Sequence, residues 1–288
     1  MRNPIPARLR AISCTLLASL VLSAPATAGL IGGLVTHAVE RHVTKQVETR
    51  FGQPSAAPVA LPPAGSFAQC RQLFPLGAPI VITDIDARWR PTALCFNHFA
   101  VLYSGLTKTP LVVVERLGRE QMAQALDEMR TDEFYADPRL PRASRAELDD
   151  FRSGGFDRGH MAPAGDQPDQ ISMAQSFALS NIIPQDSFNN RKTWSKIESD
   201  VRKFVRRSQG SVYVFSGPVF RGEQRTVGRG RVWVPSHLFK LVYDEASGRS
   251  WGYILANTAE ARVEAPMGYE AFVRETGWSL LAATASNR

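Results

Sequence analysis

Four side chains that could together hydrolyse a phosphodiester bond lie in two short stretches of this chain. Arg158 and His160 fall in FDRGHMAPAGD, and Asn190 and Glu198 fall in SNIIPQDSFNNRKTWSKIE. A neutral imidazole accepts a proton from water near pH 7, and an arginine binds phosphate oxygens through two parallel N–H groups. An asparagine oxygen with a supporting carboxylate suffices for Mg²⁺, which keeps most of its own waters. The set is therefore sufficient for metal-assisted phosphodiester cleavage.

The spacing of four residues predicts a functional helix face over 190–207. Asn190, Trp194, Glu198 and Arg202 recur at every fourth position, which places them on one stripe of a helix. An amide, a carboxylate and a guanidinium on one stripe favour a site over simple packing, whereas Trp194 on the same stripe is expected to pack. The alternative is a solvated face with an i,i+4 ion pair, which contributes only a few tenths of a kcal/mol.

The residues around His160 have predicted supporting roles. Gly159 is expected to keep bulk away, so that backbone and substrate phosphate come close. Asp157 is expected to hold the turn or its neighbours and not to bind metal. Asp166 is a less favoured alternative as a second metal carboxylate, since Mg²⁺ needs only one or two protein ligands.

The two stretches resemble the DNA/RNA non-specific endonuclease family, which has a ββα-metal active site. The family's Asp-Arg-Gly-His motif is intact at 157–160, and its Asn-x-x-Pro-Gln segment is present at 181–185. An asparagine and a helix glutamate follow at matching separations, at Asn190 and Glu198. The resemblance extends over roughly residues 90–280.

The resemblance implies a role for each side chain of the catalytic set. His160 is the general base that activates water. Asn190 is the only direct protein ligand of Mg²⁺, for which Mn²⁺ can substitute. Glu198 hydrogen-bonds a metal-bound water and helps to protonate the leaving group.

The remaining implied roles concern phosphate binding and orientation. Arg158 and Arg202 are catalytic and substrate-binding, because they steady the phosphate and its transition-state charge. Asn181 orients nearby groups. The family has a further arginine well before the Asp-Arg-Gly-His motif, and Arg116 is the candidate for it in this chain.

The implied activity is cleavage of both DNA and RNA, leaving 5′-phosphate ends. Two alternatives stay open: a nucleic-acid-binding homologue that has lost catalysis, and a phosphodiesterase that acts on a non-polymeric ester. The predicted partners are DNA and RNA, a second copy of the chain in a homodimer, and an inhibitor or immunity protein.

The N-terminus has the pattern of a secretory signal peptide over 1–28. Three arginines precede the apolar run AISCTLLASLVLSAPATA, and cleavage is predicted after Ala28. An uncleaved anchor is the alternative. The prediction is a secreted or periplasmic protein with no transmembrane segment in its mature part. Loss of the segment lowers the net charge from +7 to +4, so charge alone is a weak argument for a polyanionic partner.

Residues 29–65 are predicted to be an amphipathic helix followed by a Pro- and Ala-rich linker, and 66–288 to be the endonuclease domain. Valines and an isoleucine recur every fourth position from Ile31. Cys70 and Cys95 remain after signal cleavage, and an exported protein with this even pair is expected to join them in a disulfide.

Strands and helices come in groups along the domain and not in strict alternation. Strand patterns rich in β-branched and aromatic residues are FNHFAVLYS, PLVVVERL, SVYVFSGPVF, RVWVPSHLFKLVYD and WGYILANT. Helical patterns are EQMAQALDEMR, RKTWSKIESDVRKFVRR and MGYEAFVRET. The order predicts an α+β fold with a mainly antiparallel central sheet and flanking helices. No internal repeat and no G-x-x-x-x-G-K phosphate loop occurs.

Overall fold

The structure, a computed structural model, describes residues 61–81, 85–125, 130–152 and 154–281. The expected signal peptide and the expected amphipathic helix lie outside these ranges. Within them, no helix has the length and apolar character needed to cross a membrane.

The described residues form a six-stranded antiparallel sheet in the order β1-β2-β3-β6-β9-β10. Its strands are β1 (Pro91–Cys95), β2 (Phe99–Ser104), β3 (Thr109–Leu117), β6 (Val212–Val219), β9 (His237–Asp244) and β10 (Arg249–Ala256). All positions of β2 are buried, because both faces of the sheet are covered. This explains why the central strands have nearly continuous apolar sequences.

Shorter strands and helices surround this sheet. The strands form two hairpins, β4 (Asp157–His160) with β5 (Ile182–Gln185) and β7 (Arg225–Val227) with β8 (Val232–Val234). The α-helices are α1 (Arg119–Gln124), α2 (Gln170–Ser176), α3 (Ser195–Val205) and α4 (Tyr269–Thr276), and a π-helical turn (Asn189–Trp194) precedes α3. Short 3₁₀ turns are Ala68–Leu73, Pro75–Gly77, Ala87–Trp89, Arg142–Ser144, Leu148–Phe151, Ala164–Asp166 and Leu179–Asn181. The predicted α+β class with a mainly antiparallel sheet is confirmed.

Each face of the sheet has its own apolar core. Helix α3 contributes Ile197 and Val201 to one core. Helix α4 contributes Phe272 to the other, where it packs against Phe239 of β9. The two-sided arrangement fixes α3 firmly on the face that also holds β4 and β5.

A disulfide joins Cys70 and Cys95, as the sequence predicts, with Cα atoms 5.8 Å apart. Cys95 ends β1, and Cys70 lies in the preceding 3₁₀ segment. The bond therefore ties the start of the described chain to the edge of the sheet. A loop of this size stabilises the fold by about 3 kcal/mol in the chain-entropy account.

Candidate active site

The Asp-Arg-Gly-His motif forms strand β4 and pairs antiparallel with β5. Asp157 lies opposite Gln185, and His160 lies opposite Ile182. A Cβ atom at Gly159 would come within 2.7 Å of the Gln185 Cβ, a separation that real Cβ atoms do not reach. The packing of Gln185 is thus enough to require glycine at this position.

The predicted side chains meet around one cavity of about 490 Å³. Five of the predicted residues line it, and a sixth residue, which the sequence did not suggest, also faces it. These residues are Arg158, His160, Asn190, Glu198, Arg202 and the additional Arg130. Strand β4 supplies the first two, and the π-helical turn with α3 supplies the next three. The cavity is therefore a ββα junction.

His160 is only 8% exposed and lies between two phenylalanine rings. Its ring centroid is 4.9 Å from that of Phe177 and 5.4 Å from that of Phe134. The Nε2 atom is buried and has no hydrogen-bond partner among the described residues. Burial, together with the positive charge of Arg130, lowers the pKa of His160 to about 3. His160 is consequently neutral near pH 7.

Asn181 lies behind the cavity and does not line it. Its side-chain amide accepts a hydrogen bond from the Ala162 N–H at 2.9 Å and donates to the Ala162 and Ser176 carbonyls, both at 2.9 Å. All of these partners are backbone groups just after His160 or at the end of α2. The structure thus places Asn181 where it fixes the turn that follows His160.

Two consecutive asparagines on the π-helical turn face opposite ways. Asn189 is fully buried, where it accepts from Gln185 Nε2 at 2.8 Å and donates to the Ala256 carbonyl at 2.6 Å. Asn190 faces the cavity. Asn189 therefore anchors the turn to the sheet, and Asn190 is free to act in the site.

Trp194 is the member of the four-residue stripe that packs, as expected, and it does not line the cavity. Trp194 is 1% exposed and packs in the core, with the Lys240 ammonium 4.8 Å from its ring centroid. Asn190, Glu198 and Arg202 line the cavity. The reason is the π-helical turn, which is wider than an α-helical one, so a four-residue spacing across it does not keep one face.

Asp157 holds the cavity wall through its neighbours. Its carboxylate accepts from Ser187 Oγ at 2.9 Å, from Asn190 Nδ2 at 3.0 Å and from both Nε and Nη2 of Arg191 at 2.7 and 2.8 Å. These donors lower the pKa of Asp157 despite its partial burial. The expectation that Asp157 supports its neighbours agrees with this arrangement.

Helix α3 brings a carboxyl group and a guanidinium to the other side of the cavity. Desolvation raises the pKa of Glu198 to about 7, against the opposing charge of Lys240. Arg202 Nη1 donates to Asp166 Oδ1 at 2.9 Å, and the Asp166 side chain is 5% exposed. Asp166 therefore orients Arg202, and it does not line the cavity.

The upstream arginine of the cavity is Arg130 and not Arg116. Arg116 lies exposed on β3, donates to Ser211 Oγ at 2.9 Å and borders a different depression. Arg130 lines the cavity with its guanidinium carbon 5.1 Å from the Phe177 ring centroid, and Arg158 lies similarly over Phe134 at 4.2 Å. Arg130 follows no motif and no helical period, so the sequence held no local signal for it.

The donor groups of the cavity suit a cation that prefers oxygen and retains water. No group of three or more His, Cys, Asp or Glu side chains that could hold a metal occurs in the described ranges. The amide of Asn190 has its nitrogen directed at Asp157, so its carbonyl oxygen is left for another partner. A single neutral oxygen beside a carboxyl group fits a hydrated divalent ion.

Comparison with known proteins gives a consistent picture. A model of the family described as DNA/RNA non-specific endonuclease matches residues 77–284. The Homo sapiens protein "Nuclease EXOG, mitochondrial" is 34% identical over 169 residues, which cover 55% of this chain and 45% of that protein. "Endonuclease G, mitochondrial" from the same species is 35% identical over 163 residues, covering 53% and 54%. The chain thus spans about half the length of these relatives.

A solved structure described as the crystal structure of the EndoG/EndoGI complex has a similar fold. The TM-score is 0.60 at 23% sequence identity, and the match covers 77% of this chain and 91% of that chain. At this identity the likeness concerns the fold alone.

The expectation of a secreted or periplasmic protein is wrong, because the relatives are mitochondrial nucleases. They include "Nuclease 1, mitochondrial" of Schizosaccharomyces pombe, which is 34% identical over 167 residues that cover 53% of this chain and 51% of that protein. Three arginines, an apolar run and a small-x-small cleavage pattern were the basis of the expectation. Organelle-import sequences are also rich in arginine, so the arginines do not separate the two destinations.

The family assignment rests on a match that covers most of the folded chain. The matched residues 77–284 include β4, β5, the π-helical turn and α3, which are the elements that build the cavity. The match extends over more than half of the 288 residues. The chain belongs to the DNA/RNA non-specific endonuclease family, a family of metal-dependent nucleases.

Proposed function

We propose that this protein is a Mg²⁺-dependent endonuclease that hydrolyses the phosphodiester bonds of DNA and RNA without regard to sequence, leaving 5′-phosphate ends. The single observation that carries the proposal is the convergence of a neutral imidazole with three guanidinium groups on one cavity. His160 supplies the imidazole, and Arg130, Arg158 and Arg202 supply the positive charge.

The imidazole is suited to be the base for water. The lowered pKa keeps His160 without a proton at neutral pH, so the imidazole is in the form that can accept one. The water oxygen forms a bond to phosphorus while the bond from phosphorus to the 3′-oxygen breaks. The proton removed from the water passes to His160, and the phosphate stays on the 5′ side of the next fragment.

The arginines and Glu198 are suited to the charge that develops on the phosphate. Guanidinium groups bind phosphate oxygens in pairs, and their charge is worth more in a partly enclosed site than in water. Asp166 fixes Arg202 by a hydrogen bond of 2.9 Å, which limits the reorganisation needed during the reaction. With a pKa of about 7, a fraction of Glu198 is protonated at neutral pH and can return a proton to the leaving oxygen.

Asn190 is the residue we propose to hold the metal, through its side-chain oxygen. Mg²⁺, or Mn²⁺ in its place, supplies charge neutralisation at the phosphate and at the leaving oxygen when bound. Asp157 keeps the Asn190 amide in the orientation that presents the oxygen.

The experiment incubates the 288-residue protein with plasmid DNA and with RNA, in Mg²⁺ or in EDTA. His160→Ala is tested alongside it, and the ends of the products are mapped by labelling. We expect both polymers to be degraded only with Mg²⁺ and only by the protein that retains His160. Binding of DNA by His160→Ala, measured by anisotropy, is expected to be close to that of the parent protein.

Three results would contradict the proposal. Cleavage by His160→Ala at a near-normal rate would remove the imidazole from its role. Tight binding of nucleic acid by folded protein that cleaves neither polymer would favour a binding protein without catalysis. Faster hydrolysis of a small diester than of the polymers would favour a different substrate class.

We also propose that residues 66–288 form the nuclease unit and that an inhibitor protein can occupy the cavity. The family match at 77–284 and the disulfide to Cys70 support the first proposal. The second is supported by the EndoG/EndoGI complex among similar structures and by the three arginines, which attract acidic groups. A homodimer remains a prediction, and sedimentation equilibrium tests it.

A further inference from the structure

A short arginine-bearing hairpin packs beside β5, the strand that pairs with the one carrying Arg158 and His160. Strands β7 and β8 pair with Arg225 opposite Val234 and Val227 opposite Val232. The loop between them reads Gly-Arg-Gly-Arg over 228–231. The proposed mechanism makes no use of this hairpin.

The hairpin is held rigidly from one side. Val227, Val232 and Val234 are buried with Phe151 and Ile182 in a small apolar cluster. The same cluster is contacted by Phe134 and Phe156, which flank the cavity. The hairpin therefore shares a core with strand β5 and with the entry to β4.

Asp150 fixes the loop of the hairpin from below. The Gly230 N–H donates to Asp150 Oδ1 at 2.6 Å. A Cβ atom at Gly228 would lie 2.6 Å from the Asp150 Cβ, and one at Gly230 would lie 2.8 Å from Oδ1. The backbone thus approaches Asp150 so closely that only glycine fits at either position. The loop is anchored, and its arginines project from a fixed base.

Three arginines of the hairpin are exposed and uncommitted. Arg225, Arg229 and Arg231 are all exposed, and none has a carboxylate within ion-pair distance in the part of the chain that the structure describes. The Arg225 guanidinium carbon is 5.4 Å from the ring centroid of Phe156. Phe156 directly precedes Asp157 of the cavity wall, so Arg225 lies at the border of the site.

We propose that the β7–β8 hairpin is a second phosphate-binding element, whose arginines contact backbone phosphates of the nucleic acid on one side of the scissile phosphate. This inference rests on the proposed function. A polymer substrate carries a phosphate at every nucleotide, and the cavity accounts only for the one that is cleaved. Unpaired guanidinium groups on a rigid base are suited to the flanking phosphates, because the backbone that carries them is already fixed and need not be ordered on binding.

The chemistry favours a phosphate backbone over base recognition. Guanidinium groups at a loop tip contact phosphates without reading sequence, which agrees with a nuclease that ignores sequence. Each phosphate contact releases counterions and makes the slope of log K against log salt steeper by about 0.9 for duplex DNA. The salt dependence therefore reports the number of contacts directly.

The test compares two double variants that each lose two exposed arginines. Arg225→Gln/Arg229→Gln removes charge from the hairpin. The matched control, Arg249→Gln/Arg274→Gln, removes charge from β10 and from α4, which packs on the opposite face of the sheet. Arg231 is kept because it occupies a left-handed turn position with φ 54°. Thermal unfolding of both variants is recorded, and Arg229→Gln alone serves if the hairpin double variant does not fold.

Binding of a labelled duplex of about 30 base pairs is measured in EDTA between about 50 and 200 mM NaCl. We expect the hairpin variant to bind about tenfold more weakly at low salt, and its slope of log K against log salt to fall by about 2. The control is expected to change neither. The rate on a nucleoside p-nitrophenyl phosphodiester with Mg²⁺ should be the same for all three proteins, because that substrate has no flanking phosphates.

The outcomes separate this inference from the proposed function. Equal slopes of log K against log salt for the parent, the hairpin variant and the control would overturn the inference. If the hairpin variant kept the slope of the parent but bound an acidic protein more weakly, the inference would be overturned in favour of a protein partner. The parent protein could fail to cleave either polymer, while the hairpin variant still shows a reduced slope of log K against log salt. The proposed function would then fail, and the phosphate-binding element would stand.

Discussion

The side-chain nitrogen of Asn190 donates to Oδ2 of Asp157 at 3.0 Å, across the junction between the π-helical turn and strand β4. An ionised carboxylate can only accept hydrogen bonds, so the atom of the Asn190 amide that faces it must be the nitrogen and not the oxygen. The Asn190 oxygen is thereby directed away from Asp157. One carboxylate thus joins both halves of the site and sets the orientation of the proposed metal ligand.

Asp157→Ala is expected to raise the Mg²⁺ concentration for half-maximal cleavage by about tenfold, because the Asn190 amide loses the partner that orients it. Saturating Mg²⁺ should restore most of the rate. The measurement is cleavage rate against Mg²⁺ concentration. Arg191→Gln is the control, since it removes the exposed partner of Asp157 and leaves Asn190 paired. An unchanged metal requirement in Asp157→Ala would contradict this role.

The two neighbouring asparagines should separate function from stability. Asn190→Ala is expected to lose about a hundredfold or more in cleavage rate without a change in thermal unfolding, with partial rescue by high Mg²⁺ or Mn²⁺. Asn189→Ala should unfold more easily by about 1–3 kcal/mol, because it leaves the Gln185 amide and the Ala256 carbonyl unpaired. Rate and thermal unfolding are measured for both. Equal effects of the two changes on stability would contradict the opposite orientations.

Arg130→Gln is expected to lower kcat/KM on DNA by about a hundredfold, since it removes one of three guanidinium groups from the cavity. Arg116→Gln should leave kcat/KM within about twofold of the parent value, because Arg116 borders a different depression. Both are measured on the same duplex at one salt concentration. The reverse result would restore Arg116 as the upstream arginine.

The pH dependence of stability should reveal buried His160. Its folded-state pKa of about 3 lies below the ordinary value of 6.5, so the unfolded chain takes up the proton first as the pH falls. The contribution is complete above pH 6.5 and is lost progressively as the pH falls toward 3. Glu198, with its pKa raised to about 7, acts in the opposite direction between its ordinary value of 4.5 and 7.

Denaturant unfolding of the parent and of His160→Ala between pH 6 and 4.5 measures the contribution of His160 to the free energy of unfolding. The parent should lose about 1.4 kcal/mol more per pH unit than the variant, because one extra proton separates its two states. Any fixed cost of the substitution cancels in the comparison of slopes, as does the contribution of Glu198. Parallel curves would show that His160 is not buried as a neutral group.

The central strands were predictable because burial on both faces imposes a recognisable composition. Strands β2 and β3 consist almost entirely of buried residues, and their β-branched and aromatic side chains indicate strands without any knowledge of their neighbours. Strands β4 and β5 were not predicted. Asp-Arg-Gly-His and Ile-Ile-Pro-Gln owe their extended form to mutual pairing, which is a tertiary contact.

Five residues that line the cavity could be predicted because their spacing follows a known motif. Arg130 could not, since its place depends on the ring of Phe177 and on the path of the chain before β4. The roles of Asn181 and Asp166 also depend on which backbone or side chain each one meets. The destination of the protein was predicted wrongly because a basic and apolar N-terminus fits more than one export or import pathway.

Because of the π-helical turn Asn189–Trp194, the number of residues between Asn190 and Glu198 determines whether both side chains face the cavity. Deletion of Lys192, an exposed residue of that turn, would leave every proposed site residue in the chain. Because a π-helical turn holds one residue more than an α-helical turn, the deletion would convert it to an α-helical turn and keep Asn190 and Glu198, then seven residues apart, near one face of the helix. A relative with a regular α-helical turn in this place would therefore need one residue fewer between its asparagine and its glutamate to hold both on one face of the helix.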